Sequence, residues 1–267
     1  MFSPPIRISQ GHLNLLETCF RKYQHIYLDQ LGSPIEPEQQ ESLIWGSQFH
    51  LLMQQRELGL PVQIFLQENA EFDRSVSSLV QAAPDVVNLE DSTGREAEHP
   101  RTLTWGRYLL VAIYDLLIVR GDRAEIFDWK THRQPQKRDR LARHWQTRLY
   151  PFVLAETSDF TPEQISLTYW FVGSRPQSLK FSYNTVQHEQ TRTDLTQLLT
   201  QLQEASDRYQ TDQIPFPQVS LAKKICSRCE FAARCQRIPN QRISENKEKI
   251  KTANFSVSLD SIKEIPL

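Results

Sequence analysis

This 267-residue sequence has no apolar run able to cross a bilayer: its longest, Tyr108 to Val119, is interrupted by Asp115 and falls short of the roughly 18 to 20 residues a membrane helix requires. Glycine is scarce, at 8 residues, and the 15 prolines follow no repeat, which excludes collagen-like and low-complexity classes. Four cysteines are too few for a disulfide scaffold. The start, MFSPPIRIS, has neither a charged segment leading into an apolar one nor a cleavage-like site, so no secretory signal is expected and the chain is expected to be cytoplasmic. In that reducing setting, metal binding or catalysis is the better reading of the cysteines. There is no surplus of either charge, with 31 Lys and Arg against 32 Asp and Glu, and taken alone this argues against a nucleic-acid protein. No GxxxxGK[ST] loop is present, so the chain carries no helicase motor and any unwinding must come from a partner.

The distribution of charge argues the other way. Lys130 to Arg148 holds seven Lys or Arg against Asp139 alone, while Pro61 to Pro100 holds eight acids against Arg74 and Arg95. A basic stripe beside an acidic region is what a polyanion-binding face requires, although solvated surfaces show it as well. Periodicity predicts a helix capped by Ser9, with Leu13, Leu16, Phe20, Tyr23 and Tyr27 on one face, that contains Cys19. A second helix is predicted from Pro37 to Leu58, with Leu43, Gly46, His50 and Met53 along one side. Residues 61–100 read as an irregular or partly helical insertion. From Thr102 a β-meander is predicted, then a helix from about Asp139 to Glu156, two strands (SLTYWFV and LKFSYN), and a helix from about Thr185 to Tyr209. The order of elements gives an α/β fold. One domain is expected over 1–240, with a polar linker and short tail over 241–267.

If Gly121-Asp122 is a two-residue hairpin loop, residue i faces residue 243 minus i, and Asp115 falls opposite Asp128. Strand alternation then puts Asp115, Asp128 and Lys130 on one face. Two carboxylates within apolar strands cost free energy unless a cation lies between them. Mg²⁺ or Mn²⁺ suits hard oxygen donors, and a nearby lysine can orient water or stabilise phosphorane charge. The bland alternative is an exposed hairpin ion pair worth about 0 to 1 kcal/mol. His50 lies on the helix side that includes Gly46, whose missing side chain would let a strand come close.

In order along the chain, ISQGHLNLLETCFRKYQHIYLDQL, GSQFH ending at His50, Asp115, the DWK of Asp128 to Lys130, and Gln146-x-x-x-Tyr150 resemble the RecB-like branch of the PD-(D/E)XK nuclease superfamily. The resemblance implies a restriction-endonuclease-like core, a mixed central β-sheet flanked by helices. It implies that His50, Asp115 and Asp128 bind the divalent metal, that Lys130 is catalytic together with the two aspartates, and that Gln146 and Tyr150, with Arg143 on the same helix side, contact DNA or order the site. An upstream acid is also implied, Glu96 or Glu98, with Glu98 favoured.

Cys226-x2-Cys229-x5-Cys235, with Cys19 far upstream, reads as a metal site. Spacing alone gives Zn²⁺ as the generic assignment. The one-plus-three layout resembles members of the same branch that carry a 4Fe-4S cluster, which implies that the four cysteines join the N- and C-terminal segments. The reading is a metal-dependent deoxyribonuclease, an exonuclease on single-stranded DNA ends, in repair, recombination or CRISPR-related processing, with a helicase or other protein as possible partner and no membrane association. A catalytically silent DNA-binding subunit and a zinc-stapled structural protein are the alternatives.

Overall fold

The apolar run Tyr108–Arg120 forms β3, the 13-residue strand around which the rest is arranged. The computed structural model describes residues 5–32, 37–87, 94–131, 137–173 and 175–237. They fall into two units, Met1–Pro217 and Gln218–Leu267.

In the first unit, β2 (Arg95–Trp105) runs antiparallel along β3 from Trp105↔Tyr108 to Arg95↔Ile118. A strand has two hydrogen-bonding edges, so the remaining partners must share the other. There β1 (Ile6–Ser9) pairs in parallel with Tyr108 to Val111, and β4 (Arg123–Lys130) pairs antiparallel with Leu116 to Arg120. Between them the edge is forked over residues 112–115. β5 (Ile165–Phe171) then pairs in parallel with β4, and β6 (Gln177–Ser182) antiparallel with β5, completing a mixed six-stranded sheet.

Helices cover both faces. α1 (Gln10–Thr18), α8 (Trp145–Glu156) and α9 (Thr185–Asp212) pack with Leu110, Ala112, Tyr114, Ile126, Leu167 and Tyr169. α3 (Pro37–Glu57) and α5 (Ala70–Ala82) pack with Leu116, Ile118, Phe127, Trp129 and Trp170. Shorter helices complete the unit: α2 (Phe20–Tyr23), α4 (Gln63–Glu68), α6 (Pro84–Val87) and α7 (Arg138–Arg143). Among the described residues, no helix is long and apolar enough to cross a membrane.

The α/β order and the hairpin register are as the sequence predicts, with pairs from Arg120↔Arg123 to Leu116↔Phe127 all summing to 243. Several expectations are corrected. The first helix does not run through Cys19, where the backbone is extended (φ −165°, ψ 114°) and separates α1 from α2, which a π turn over Gln24–Leu28 follows. The helix predicted from Asp139 is broken at His144 (φ −68°, ψ 138°) into α7 and α8. The insertion is partly helical as expected, with α4 to α6, but β2 begins at Arg95 rather than at Thr102. The side of α3 assigned to Leu43, Gly46, His50 and Met53 is split, since Gly46 and Met53 are buried whereas Leu43 is 58% exposed.

The second unit has short 3-10 turns at Leu221–Lys223 and Ile225–Arg228. Gln218 clasps its far end, accepting from Arg237 and donating to the Cys235 carbonyl at 3.3 Å. The linker and tail expected over 241–267 lie outside the described residues.

Gly46 is where α3 meets the end of β4. A Cβ built there would lie 2.9 Å from Thr131 Oγ1, closer than unbonded atoms tolerate. We expect Gly46→Ala to lower stability although alanine favours helix by about 1 kcal/mol. In a Thr131→Ala background the same change should raise it. Urea unfolding of the four proteins measures the coupling, and an additive cycle would dismiss the contact.

Candidate functional site

The fork leaves backbone groups on β3 and β4 without strand partners, and side chains take them. Trp129 N–H, beyond the end of the β3–β4 ladder, donates to Asp115 Oδ2 at 2.6 Å. The Tyr150 hydroxyl, reaching in from α8, hydrogen-bonds to the Ile113 backbone and to the Gln146 side chain. Asp115 is therefore held by the geometry that opens the sheet.

The fork also changes which face each residue uses. Leu110, Ala112 and Tyr114 belong to the core under α8, but Leu116 and Ile118, of the same parity, belong to the core under α3. Alternation thus slips by one residue at Asp115. This corrects the expectation that Asp115, Asp128 and Lys130 share a face. Asp128 and Lys130 turn to the α8 side, where Gln146 and Tyr169 meet them, while Asp115 meets His50 of α3.

On the α3 side, His50 Nδ1 stands 3.1 Å from Asp115 Oδ1 and 3.9 Å from Glu98 Oε1. Among the described residues, these three form the one group of metal-ligating side chains whose donor atoms lie within 4.8 Å of one another. Glu98 sits opposite Asp115 by register, yet drops out of the β2–β3 ladder because its backbone is left-handed, with φ +47°. A non-glycine residue there carries strain of about 1–2 kcal/mol, which places its carboxylate against the other two. Glu96, the rival upstream acid, is turned away and contacts His99.

On the α8 side, Asp128 is buried. Its Oδ2 accepts from Gln146 Nε2, and Lys130 Nζ lies 2.6 Å from Oδ1 but off the line of a hydrogen bond, so that Oδ1 has no hydrogen-bond partner. Lys130 instead donates to Gln146 Oε1 at 2.8 Å and lies 5.0 Å above the Tyr169 ring. Gln146 and Tyr150, four residues apart on α8, are both buried and order the carboxylate and the lysine. Arg143 is exposed on α7 beyond the break at His144, so it does not share their helix side. His144 Nδ1 accepts from the Gln146 N–H at 3.4 Å; burial first, then Lys130 and Arg140, lower its pKa.

Electrostatically the site is an anionic cluster short of a cation. Burial, then the charge of Asp128, raises the Asp115 carboxyl above its usual range against the pull of His50 and the Trp129 N–H. Burial and Asp115 do the same to Glu98. Burial also opposes charge on His50, but the hydrogen bond and charge of Asp115, with Asp128 and Glu98, outweigh it and push the imidazole up to about 9. One imidazole with hard carboxylate oxygens fits a divalent ion such as Mg²⁺ or Mn²⁺, and the Asp128 oxygen that accepts no hydrogen bond adds to that fit.

None of the four cysteines is in a disulfide and all are half-buried, with Cys19 at the α1–α2 break in the first unit and Cys226, Cys229 and Cys235 in the second.

The family model of the PD-(D/E)XK nuclease superfamily matches residues 7–236. No curated protein matches the chain. Among solved structures, a provisionally assigned exonuclease from Eubacterium rectale is 11% identical, with a TM-score of 0.51 over 87% of this chain and 89% of its own; at that identity the likeness concerns the fold alone. SSO0001 is also 11% identical, over 75% of this chain and 78% of its own, and its TM-score of 0.38 is too low to add to the comparison.

The ordinary histidine value is 6.5 and that of His50 is raised to about 9. Its contribution to the stability of the metal-free fold is therefore complete below pH 6.5 and lost as pH rises through 9. A divalent ion needs the same nitrogen unprotonated, so Mn²⁺ affinity measured without DNA should strengthen from pH 7 to 9. His50→Ala should flatten that slope, and an unchanged slope would remove His50 from the ligand set.

Proposed function

Because the chain belongs to the PD-(D/E)XK nuclease superfamily, we propose that it is a cytoplasmic, divalent-metal-dependent deoxyribonuclease acting as an exonuclease on single-stranded ends, in repair, recombination or CRISPR-related processing. The observation that carries this reading is the fork, where His50, Glu98 and Asp115 gather on one side and the Asp128–Lys130–Gln146 set on the other. His50, Asp115 and Glu98 would hold Mg²⁺ or Mn²⁺, together with Asp128, whose charge reaches Asp115 and His50 at the fork. When bound, the ion supplies Lewis acidity that activates water and neutralises charge on the phosphoryl oxygens.

The chain's own residues do the rest. Lys130, held by Gln146 and Asp128, presents an ammonium to the attacking water and to the charge that develops on the phosphate. Gln146 takes its orientation from the Tyr150 hydroxyl, so its role is to position Lys130 and Asp128. Exposed Arg143, with Lys137, Arg138 and Arg140 on and before α7, offers a strip of charge for the phosphate backbone. Unwinding is left to a helicase partner.

The four cysteines complete the proposal. None of Cys19, Cys226, Cys229 and Cys235 is in a disulfide, so each can serve as a thiolate ligand, and we assign them to a 4Fe-4S cluster rather than Zn²⁺ because their one-plus-three order resembles that of cluster-bearing members of the RecB-like branch. Its role would be structural.

End-labelled single- and double-stranded DNA with Mn²⁺ and anaerobically purified protein tests the nuclease. Lys130→Ala should lower the rate by about 100-fold or more, and degradation as fast as the parent's would exclude the mechanism. Iron analysis of Cys19→Ser should show loss of iron. Unchanged iron would exclude Cys19 as a ligand, and zinc in the parent would replace the cluster with the alternative metal.

A further inference from the structure

The core uses one face of α3 and leaves a second apolar one. Gly46, Phe49, Leu52 and Met53 are buried. At about 100° per residue, Leu43, Ser47, His50, Leu51 and Gln54 form a different side, on which Leu43 is 58% and Leu51 52% exposed. Isolated exposed leucines are ordinary. These two, however, line the same cavity as His50, Glu98 and Asp115, with a volume of about 1740 Å³. That exceeds the roughly 300–1,000 Å³ of small-molecule pockets and suits a polymer.

The charge of this wall decides which part of a polymer can touch it. Glu38, Glu41 and Glu71 line the cavity as well, and Arg74 is the one Lys or Arg among its described lining residues. Such a surface repels phosphates on balance, its acids outweighing Arg74. What it can accept is the uncharged, flat side of a nucleotide. Leu43 and Leu51 are eight residues apart, about 12 Å along the helix axis at ~1.5 Å per residue, the reach of three or four bases at the ~3.4 Å repeat of a strand.

We infer that the exposed side of α3 is a base platform: unpaired bases of the substrate strand pack on Leu43 and Leu51, the phosphate backbone is turned away from these leucines and meets α3 only beside His50, and Glu38, Glu41 and Glu71 keep a second backbone out. The assignment rests on the nuclease reading and adds to it the residues that recognise the strand.

Paired oligodeoxynucleotides test it, one with bases and one abasic throughout, compared by fluorescence anisotropy and by cleavage in Mn²⁺. The parent should bind the base-bearing strand about tenfold tighter. Leu43→Ser/Leu51→Ser should reduce that preference at least about threefold while leaving abasic binding, Mn²⁺ affinity and thermal unfolding unchanged. Both side chains are exposed, so the variant should fold. Glu38→Gln/Glu41→Gln/Glu71→Gln should bind the abasic strand more tightly than the parent does. The platform is overturned if the leucine variant keeps the preference or loses both strands equally, and its charged part is overturned if the glutamine variant matches the parent on the abasic strand. A parent that cleaves both strands alike removes the platform but leaves the nuclease. A parent that neither binds nor cleaves either strand removes both.

Discussion

One edge of β3 serves two strands, and the site follows from that constraint. With β2 paired along the other edge, β1 and β4 divide what remains and must part over residues 112–115. Within an apolar sheet, a backbone N–H or carbonyl without a partner costs about 1–3 kcal/mol. The fork is therefore stable only because polar side chains enter it. Asp115 takes the Trp129 N–H, and Tyr150 reaches the Ile113 backbone from α8. A carboxylate that would be a liability elsewhere in YLLVAIYDLLIV is here a structural partner, and its second oxygen is left to face His50.

Satisfying the fork creates a second conflict, which the fold leaves open. The groups that seal it bring Asp115, Glu98 and Asp128 within one another's field, and burial raises the cost of their charge. A proton on His50, beside Asp115, and the ammonium of Lys130, beside Asp128, compensate in part in the metal-free protein. Glu98 adds backbone strain to this repulsion. Strain and like-charge crowding both oppose folding, and a divalent cation bound there would relieve the crowding, so its binding would stabilise the fold. The supports are themselves fixed: Gly46 lets Thr131 approach α3, and Gln146 is held between Tyr150, Asp128 and Lys130.

The parts legible from sequence were those set by local chemistry. Gly121-Asp122 fixed the hairpin register, and the β-branched and aromatic runs of β3, β4 and β5 were readable by composition. The same register, carried past Leu116↔Phe127, predicted Asp115 and Asp128 on one face, and there it failed. The ladder ends where the Asp115 side chain replaces a backbone acceptor, and no spacing rule encodes that exchange. β1 has four residues, too few for a period to be seen, and is held by its parallel pairing with β3. The break at His144 has no glycine or proline to announce it; the imidazole that accepts the Gln146 N–H is what starts the second helix. Glu98 could be suspected only as an upstream acid, since no glycine or asparagine marks the left-handed backbone at that position.

Helix α3 shows why a periodic pattern can mislead at a functional cleft. Leu43, Gly46, His50 and Met53 recur at helical spacing, and a single core stripe is the economical reading of such a set. In the fold the set straddles two surfaces, with Gly46 and Met53 against the sheet and Leu43 in the open beside His50. One such leucine would be ordinary, but Leu43 and Leu51 line the same cleft as the carboxylates, and an apolar pair there forms a surface that a ligand can cover. The acidic side chains around it narrow the choice in the same way that the buried carboxylates select a cation. Each surface of the cleft is incomplete in a particular chemical sense, negative where an ion belongs and apolar but phosphate-repelling where a base can lie. A single-stranded nucleic acid with a divalent ion satisfies both at once, whereas a duplex would bring a second row of phosphates against Glu38, Glu41 and Glu71.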